Sequence, residues 1–560
     1  MSEQGKRKLK GFWGSGWTYI TFAITVFFIL FFVYPLISVL VHAVYDTSAH
    51  SWDVSQWGTF FGNKYGYYLK TIWNSLKVSF LSALIATTLG TLLAYILRTT
   101  KIYGAKVINV LLMVSMITPP FLSSYAWVLL LGRAGVITKW LNSIGIPYQG
   151  IYGFAGILFV FSIKLIPLVN LYVGGALKQV DSSLMEAAES LGGHGLSRFF
   201  KITFPLILPT VLASFTLVFM RVISDFGVPA LIGEGYRTLP TLIYDLFTSD
   251  VQTNEPLAAV TCVVTIFITT LIFLLQRYFA SRKKIEMSSL RPVEPKKRAV
   301  GTEIFAHFIC YVLVILLIIP MAIIVLQSFK DSVNVVMGGH WTASNYAEIF
   351  QNPSLLRSVG NTFWMSLVAL VIVIAIGVVI AYLNVRKNSK ISQTIDVIAN
   401  IPYIIPGSVM GIALLFSFNK APFALIGTYF IVIINFVIRR MPYTIRSSEA
   451  ILRQINLSAE EASESLGANK SKTFLGITVP MMAPGVASGA VMSWLSIITE
   501  LSGSIMVYSV KSKTMSIEIF NSISTGYYGR GAALSTILMA VTTLTLLLFF
   551  KLTGKKEISL

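Results

Sequence analysis

The chain has 560 residues, of which 55% are hydrophobic and only 12% charged, and its mean hydropathy is +0.73. That composition excludes an ordinary soluble globular domain and points to a chain that crosses a membrane many times. The formal net charge of +20 invites a nucleic-acid reading, which only the placement of the basic residues can decide.

Apolar runs of about 18 residues or more, long enough to cross a hydrocarbon core, recur along the whole chain. Twelve spans are predicted, centred near Leu30, Ala86, Met116, Phe161, Thr216, Ile268, Ile315, Val373, Met410, Ile433, Ser493 and Thr543. The fourth, fifth, tenth and eleventh are interrupted by Pro or charge. The first run, from about Trp17 to Val41, is too long for a signal-peptide core and lacks a small-residue cleavage site, so it reads as a retained span. Alternating the spans from a cytosolic N-terminus puts 30 of the 44 Lys and Arg on one side and eleven on the other. The remaining three, Lys77, Lys164 and Arg221, lie within or at the edge of spans. This is the positive-inside pattern: it predicts cytosolic termini and accounts for the basic charge without a nucleic-acid ligand. Cys262 and Cys310 lie in apolar spans and read as small hydrophobes, and the five histidines form no cluster along the sequence.

The two halves of the chain repeat one another. Asn74-Ser75-Leu76, opening the second span, matches Asn361-Thr362-Phe363, opening the eighth, and Pro119 matches Pro406 at the same offset of 287. Farther on the offset is 275, pairing Lys164 with Arg439 and Pro167 with Pro442. A single insertion, in the outer loop Gly132 to Gly153 relative to Asn419 to Pro422, reconciles these landmarks. Two six-span halves of the same orientation are expected, related by an axis along the membrane normal. A basic, Pro-interrupted stretch joins them, with Arg282, Lys283, Lys284, Pro292, Pro295, Lys296, Lys297 and Arg298 and a boundary near Arg291. The segments predicted are a tail, first span and outer loop (1–68), a first core (69–280), a cytosolic linker (281–300), a seventh span and outer loop (301–358), a second core (359–552) and a cytosolic tail (553–560).

Between the fourth and fifth spans, and again between the tenth and eleventh, lies a polar cassette on the cytosolic side. The first is Glu186-Ala187-Ala188-Glu189-Ser190-Leu191-Gly192, followed after ten residues by Thr203-Phe204-Pro205; the second is Glu461-Ala462-Ser463-Glu464-Ser465-Leu466-Gly467, followed after ten by Thr478-Val479-Pro480. Ser183-x-x-Glu186 and Ser458-x-x-Glu461 have capping-box spacing, and Asp181 and Glu460 place negative charge near the helix start. Gly192 and Gly467 are expected to end each helix in the left-handed conformation. A second short segment should then stop at Pro205 or Pro480, where the next span begins.

The pattern Glu-Ala-Ala, three residues, Gly, nine residues, Ile-x-x-Pro resembles the cytosolic loop of binding-protein-dependent ABC importer permeases. Ser463 in place of the second Ala, and Phe204 and Val479 in place of Leu, are mild departures. The resemblance covers both halves and implies an all-α integral membrane protein of about 12 transmembrane helices, arranged as two tandem six-helix type I (MetI-like) permease repeats. It further implies that Glu186, Ala187, Ala188, Gly192 and Pro205, with Glu461, Ala462, Ser463, Gly467 and Pro480, form two coupling loops. Each would insert a helix into a separate cytosolic ABC ATPase subunit, two copies in all. The chain has no G-x-x-x-x-G-K-[ST] motif, so ATP and Mg would sit on those partners, with no cofactor or metal here. An extracytoplasmic solute-binding protein, surrounding lipid and a bacterial cytoplasmic membrane complete the expectation.

Polar residues inside spans are costly and are candidates for function. Arg221 and Asp225 are four apart on the fifth span, and Thr499 and Glu500 in the eleventh match Ser224 and Asp225. Pro119, Ser224, Asp225, Pro406, Thr499 and Glu500 are therefore candidate pathway residues, the prolines marking broken helices around a cavity. The alternative for Asp225 is a simple pair with Arg221. Lys164 and Arg439 are expected to snorkel to lipid headgroups. Tyr65, Tyr67 and Tyr68 could suggest iron ligands, but fit an interfacial aromatic belt better. The stretches Ser224 to Gly233, Ile498 to Ser502, Thr238 to Thr241 and Lys513 to Ser516 are similar to fused permeases of the ferric-iron importer group. That group grades into phosphonate, phosphorylated-sugar, sulfate, thiamine and polyamine permeases. An ion-coupled secondary transporter is the alternative of another class; it would need deep ion-coupling carboxylates and no coupling loops.

Overall fold

A computed structural model describes residues 16–46, 50–62, 66–190, 192, 195–248, 254–282, 293–297, 299–333, 337–387 and 389–553. Lys6, Arg7, Lys8, Lys10, Tyr65, Leu191, Lys283, Lys284, Arg291, Pro292 and Arg298 lie outside the described residues. Among the described residues ten helices are long and apolar enough to cross a membrane: Gly16–His42, Tyr67–Thr99, Pro120–Ser143, Gly153–Lys178, Phe199–Ile223, Glu255–Gln276, Val300–Ser328, Pro353–Lys387, Lys470–Ile498 and Tyr528–Lys551. A pair bent by 112°, Lys390–Tyr403 and Gly407–Phe418, is apolar enough to make an eleventh when the two are counted as one span. The remaining predicted span is the helix Tyr429–Gln454, in which Arg439, Arg440, Arg446 and Glu449 lower the hydropathy. With that helix, the count is roughly consistent with the twelve spans expected. The third is broken where its centre was expected: Ala105–Ile117 ends and Pro120–Leu131 begins across Thr118 and Pro119.

The chain divides into two compact units that cut across its sequential halves. One gathers the described residues of Met1–Val54, Arg357–Ile517 and Leu544–Leu560. The other gathers those of Ser55–Leu356 and Glu518–Thr543. The first helix thus belongs with the second core, where Trp17 stacks on Tyr382 at 4.8 Å and meets Phe474 edge-on at 5.0 Å. Farther along it, His42 stacks on Phe416 at 4.6 Å. The seventh helix belongs with the first core: the Tyr103 amide donates to His307 Nε2 at 3.1 Å, and Tyr311 Oη donates to the Tyr103 carbonyl at 3.1 Å.

Within each unit the cores are built alike. The second span packs on the fourth, and the eighth on the tenth, through a glycine. A Cβ at Gly90 would lie 2.6 Å from Val169 Cβ, and one at Gly377 would lie 3.1 Å from Thr444 Cγ2. The backbones approach where no side chain intervenes, a common solution between helices in lipid. The outer connection at 132–152 holds a helix, Val136–Ser143, that its counterpart at 419–428 lacks, in keeping with one insertion.

The repeated Asn-Ser and Asn-Thr pairs have a defined task. Asn74 Nδ2 donates to the Arg237 carbonyl at 3.0 Å, and Ser75 Oγ accepts from the Leu239 amide at 2.8 Å, at the start of Leu239–Thr248. In the other unit Asn361 Nδ2 donates to the carbonyls of Lys511 and Lys513 at 2.7 and 2.9 Å, and Thr362 Oγ1 accepts from the Met515 amide at 2.7 Å. Each pair satisfies backbone groups that a short, buried helix leaves open at its N-terminal end. Replacing Asn361 by Ala strands two carbonyls and should cost about 1–3 kcal/mol. The unfolding temperature in detergent should fall, and by more than for Asn74→Ala; an unchanged value would remove this role.

Candidate coupling loops and broken spans

Each cassette folds as two short helices joined by a turn. The first runs Ser182–Ser190, turns at Gly192 (φ +81°) and resumes as Gly195–Arg198. The second runs Ser458–Ser465, turns at Gly467 (φ +89°) and resumes as Lys470–Thr473. Both glycines adopt the left-handed conformation expected of them. The capping differs from the sequence reading. Asp181 Oδ1 accepts from the Ser183 amide at 2.9 Å, and Asn456 Oδ1 from the Ser458 amide at 3.1 Å. The repeat-equivalent caps are therefore Asp181 and Asn456 rather than Ser183 and Ser458. A side chain two residues before an open amide reaches it with less strain than one already wound into the helix.

Pro205 and Pro480 correct a second expectation. The loop does not stop there: a wide π-turn, Phe199–Thr203 or Phe474–Thr478, carries the short helix directly into Phe204–Ile223 or Val479–Ile498. The amides of Phe204 and Val479 bond five residues back, to Phe199 and Phe474, immediately before each proline. The wider turn makes room for a ring that would otherwise press on the preceding turn, and the helix continues unbroken from the loop into the span.

The outward faces of the loops are open. Glu186, Ala187, Glu461, Ala462 and Gly467 are exposed, as is Gly192, and Leu466 is 89% exposed. The two helices of each loop are linked by different chemistry, with Arg198 and Thr473 at equivalent positions. Arg198 pairs with Glu189 at 3.0 Å in the first loop, whereas Ser463 Oγ bonds Thr473 Oγ1 at 3.0 Å in the second. Ser463, the departure from Glu-Ala-Ala, thus joins the two helices of its loop. Aromatic pairs tie both loops to the neighbouring span: Tyr95 meets Phe199 at 4.7 Å and Tyr382 meets Phe474 at 4.8 Å. In the first unit of the sequence repeat, the end of the linker also lies against this region. Lys296 exchanges backbone bonds with Thr99 and Lys101, and its Nζ is 3.9 Å from Glu186.

Among the candidate pathway residues, Pro119 and Pro406 are the hinges of the broken third and ninth spans, with nearly the same backbone conformation (φ −58°, ψ 143° and φ −56°, ψ 147°). Ser224 ends the fifth span and Thr499 the eleventh, Thr499 Oγ1 bonding the Leu495 carbonyl of its own helix at 2.8 Å. Asp225 Oδ1 accepts from the Val228 amide at 2.9 Å and caps the short helix Gly227–Ile232. Glu500 accepts from the amides of Gly503 and Ser504 at 2.9 and 3.0 Å, before the helix Ser504–Val507. Both acids therefore close backbone breaks within their own cores.

Glu500 also forms an ion pair with Arg439, its side chain fully buried and that of Arg439 nearly so. A Cβ at Gly407 would lie 2.6 Å from Arg439 Nη1, so the guanidinium rests against the hinge after Pro406. At the equivalent site Lys164 is buried and donates to the Ser115 carbonyl. Neither cation snorkels. The breaks create carbonyls and carboxylates inside the core, and these are nearer partners than headgroups. Nothing in the sequence signals either pairing beyond repeat equivalence. It also passed over Arg386 and Asn384, which bond Glu460 and Glu449 at 2.8 and 2.7 Å. Tyr67 and Tyr68 belong to an aromatic cluster, Tyr68 stacking on Phe60 at 5.4 Å. Among the described residues no three or more His, Cys, Asp and Glu come together to hold a metal ion.

Arg439→Met would leave the Glu500 carboxylate buried without its cation, at a cost of about 3–5 kcal/mol. Adding Glu500→Gln removes the charge but keeps an acceptor for Gly503, and should recover most of the loss in thermal unfolding. A double variant no more stable than Arg439→Met would show that the ion pair is not what holds the hinge.

The sequence matches, twice, the model of the binding-protein-dependent transport system inner membrane component, over residues 86–285 and 373–554. It is 28% identical over 558 residues to a ferric transport system permease protein, FbpB, of Actinobacillus pleuropneumoniae, covering 96% of this chain and 78% of that one. A putative ferric transport system permease protein, FbpB 1, of Haemophilus influenzae is also 28% identical, over 91% of this chain and 81% of that one. A putative 2-aminoethylphosphonate transport system permease protein of Salmonella typhimurium is 28% identical over 37% of this chain and 74% of its own length. The two matched stretches contain the two loops and both broken fifth and eleventh spans, and the chain belongs to the family of binding-protein-dependent transport system inner membrane components, carrying its domain in duplicate.

Proposed function

We propose that this multi-pass permease is the translocation subunit of an ATP-driven importer, working by alternating access in a bacterial cytoplasmic membrane with both termini in the cytosol. One observation carries the reading: two stiff Glu-Ala-Ala helices hold Glu186, Ala187, Glu461, Ala462 and the apolar Leu466 out to solvent. A leucine so exposed at a helix end is costly in water and suited to a partner's cleft. Two cytosolic ABC ATPase subunits, which supply ATP and Mg, dock one on each loop. The continuous helices beyond Phe199 and Phe474 carry their motion into the fifth and eleventh spans.

Cargo arrives from an extracytoplasmic binding protein. Ferric iron is the cargo favoured, because the two ferric permease relatives align over nearly the whole chain, both halves included. A phosphonate or other small anion is the second reading, supported by the phosphonate permease relative over a single half. Selection rests on the binding protein, which takes the ion before the permease meets it.

Glu186→Arg combined with Glu461→Arg should leave the protein in the membrane yet abolish ATP-dependent uptake in vesicles containing the ATPase and binding protein. Undiminished uptake would sink the coupling role, and uptake driven by an ion gradient without ATP would favour a secondary transporter. Titrating ferric ion and 2-aminoethylphosphonate into the partner binding protein decides the cargo: binding of the phosphonate but not the metal would overturn the ferric assignment.

A further inference from the structure

The second coupling loop is fastened to its core by a buried ionic link. Arg386 lies in the π-turn Leu383–Lys387 that ends the eighth span. Its Nε donates to Glu460 Oε1 at 2.8 Å and its Nη2 to the Ile455 carbonyl at 2.9 Å. Tyr382 Oη donates to the other oxygen of Glu460 at 3.3 Å. The side chains of Arg386 and Glu460 are 13% and 6% exposed, so water and salt screen the pair little. Glu460 is the residue before Glu461 and is buried where Glu461 is exposed. On the preceding helix, Tyr429–Gln454, Arg446 joins Glu449 at 2.6 Å and Asp396 at 3.3 Å.

The first loop carries different residues at the two equivalent positions. By the repeat offsets, Arg386 corresponds to Thr99 and Glu460 to Met185, neither of them ionisable, while Tyr382 corresponds to Tyr95. The first loop keeps the Tyr95–Phe199 contact and its internal Arg198–Glu189 pair. Its ionic contact with the linker, Lys296 to Glu186, is long and exposed. Such pairs contribute little.

We propose that Arg386 and Glu460 are positioning residues that fasten the second coupling helix to the eighth span, so that ATPase movement reaches the second half through a buried ionic link. This rests on the importer reading above. An arginine bonded through two nitrogens to a carboxylate and a carbonyl resists sliding in two directions, whereas stacked rings can shear.

The test reconstitutes the full chain with its ATPase and binding protein in lipid nanodiscs. The readout is the stimulation of ATP hydrolysis by binding protein loaded with ferric ion. Arg386→Gln and Glu460→Gln should each keep the ATPase bound but lower that stimulation by about fivefold or more. The exchange Arg386→Glu with Glu460→Arg should regain most of it. Unchanged stimulation in the single variants, loss of bound ATPase in both, or a folded exchange variant without recovery would each overturn the proposal. If the single variants fail to accumulate, the exchange variant alone decides by recovery or its lack. Wild-type protein that retains no ATPase sinks the importer reading instead, and wild-type protein that holds the ATPase without ferric stimulation sinks only the cargo.

Discussion

A hydrocarbon layer offers no water to a backbone amide, and the rest of this fold follows from how that demand is met where the spans break. The third and ninth spans are cut at Pro119 and Pro406, and the fifth and eleventh are interrupted after Ser224 and Thr499. Each cut frees donors that must find acceptors inside the protein. Asp225 and Glu500 supply them, as carboxylates bonded to the first amides of the next short helix. Once a carboxylate is buried for that purpose it needs a counter-charge or further donors, and Arg439 meets the need for Glu500. The intramembrane charges are in this sense consequences of the broken helices.

Duplication has kept the positions and changed the chemistry. Asp181 and Asn456 cap the same amide, one as an acid and one as an amide side chain. Arg198 and Thr473 both reach back to the preceding helix, one through an ion pair and one through a hydroxyl. Lys164 bonds a carbonyl where Arg439 bonds a carboxylate. Such exchanges are tolerated because each local requirement is for a donor or an acceptor at one point, and several side chains satisfy it. The aromatic contacts Tyr95–Phe199 and Tyr382–Phe474 changed less, since shape as well as polarity is specified there.

Much of the fold was legible in the residues. Hydropathy gave the spans, because burial in lipid is nearly a property of composition over about 20 residues. The repeat offsets gave the insertion at 132–152 and the equivalence of Pro119 with Pro406. Gly192 and Gly467 marked their turns because a left-handed residue without a Cβ is a local requirement. Reading failed where the partner is distant in sequence or where a local signal had two solutions. The Ser-x-x-Glu spacing suggested one cap while the residue two before it took the role. Pro205 and Pro480 looked like stops, yet a π-turn absorbs them.

By itself, then, the sequence determined a duplicated, many-span membrane protein with a polar loop repeated in each half, since hydropathy and motif spacing are carried by near neighbours. Tertiary structure alone decided which core each outlying helix joins, that Arg439 turns inward to Glu500, and that Arg386 holds Glu460. Those pairings unite residues 61 to 74 positions apart, or a first helix with a core more than three hundred residues on. No periodicity in a sequence reports such partners, because the energy that selects them arises only when the low dielectric of a packed interior surrounds both.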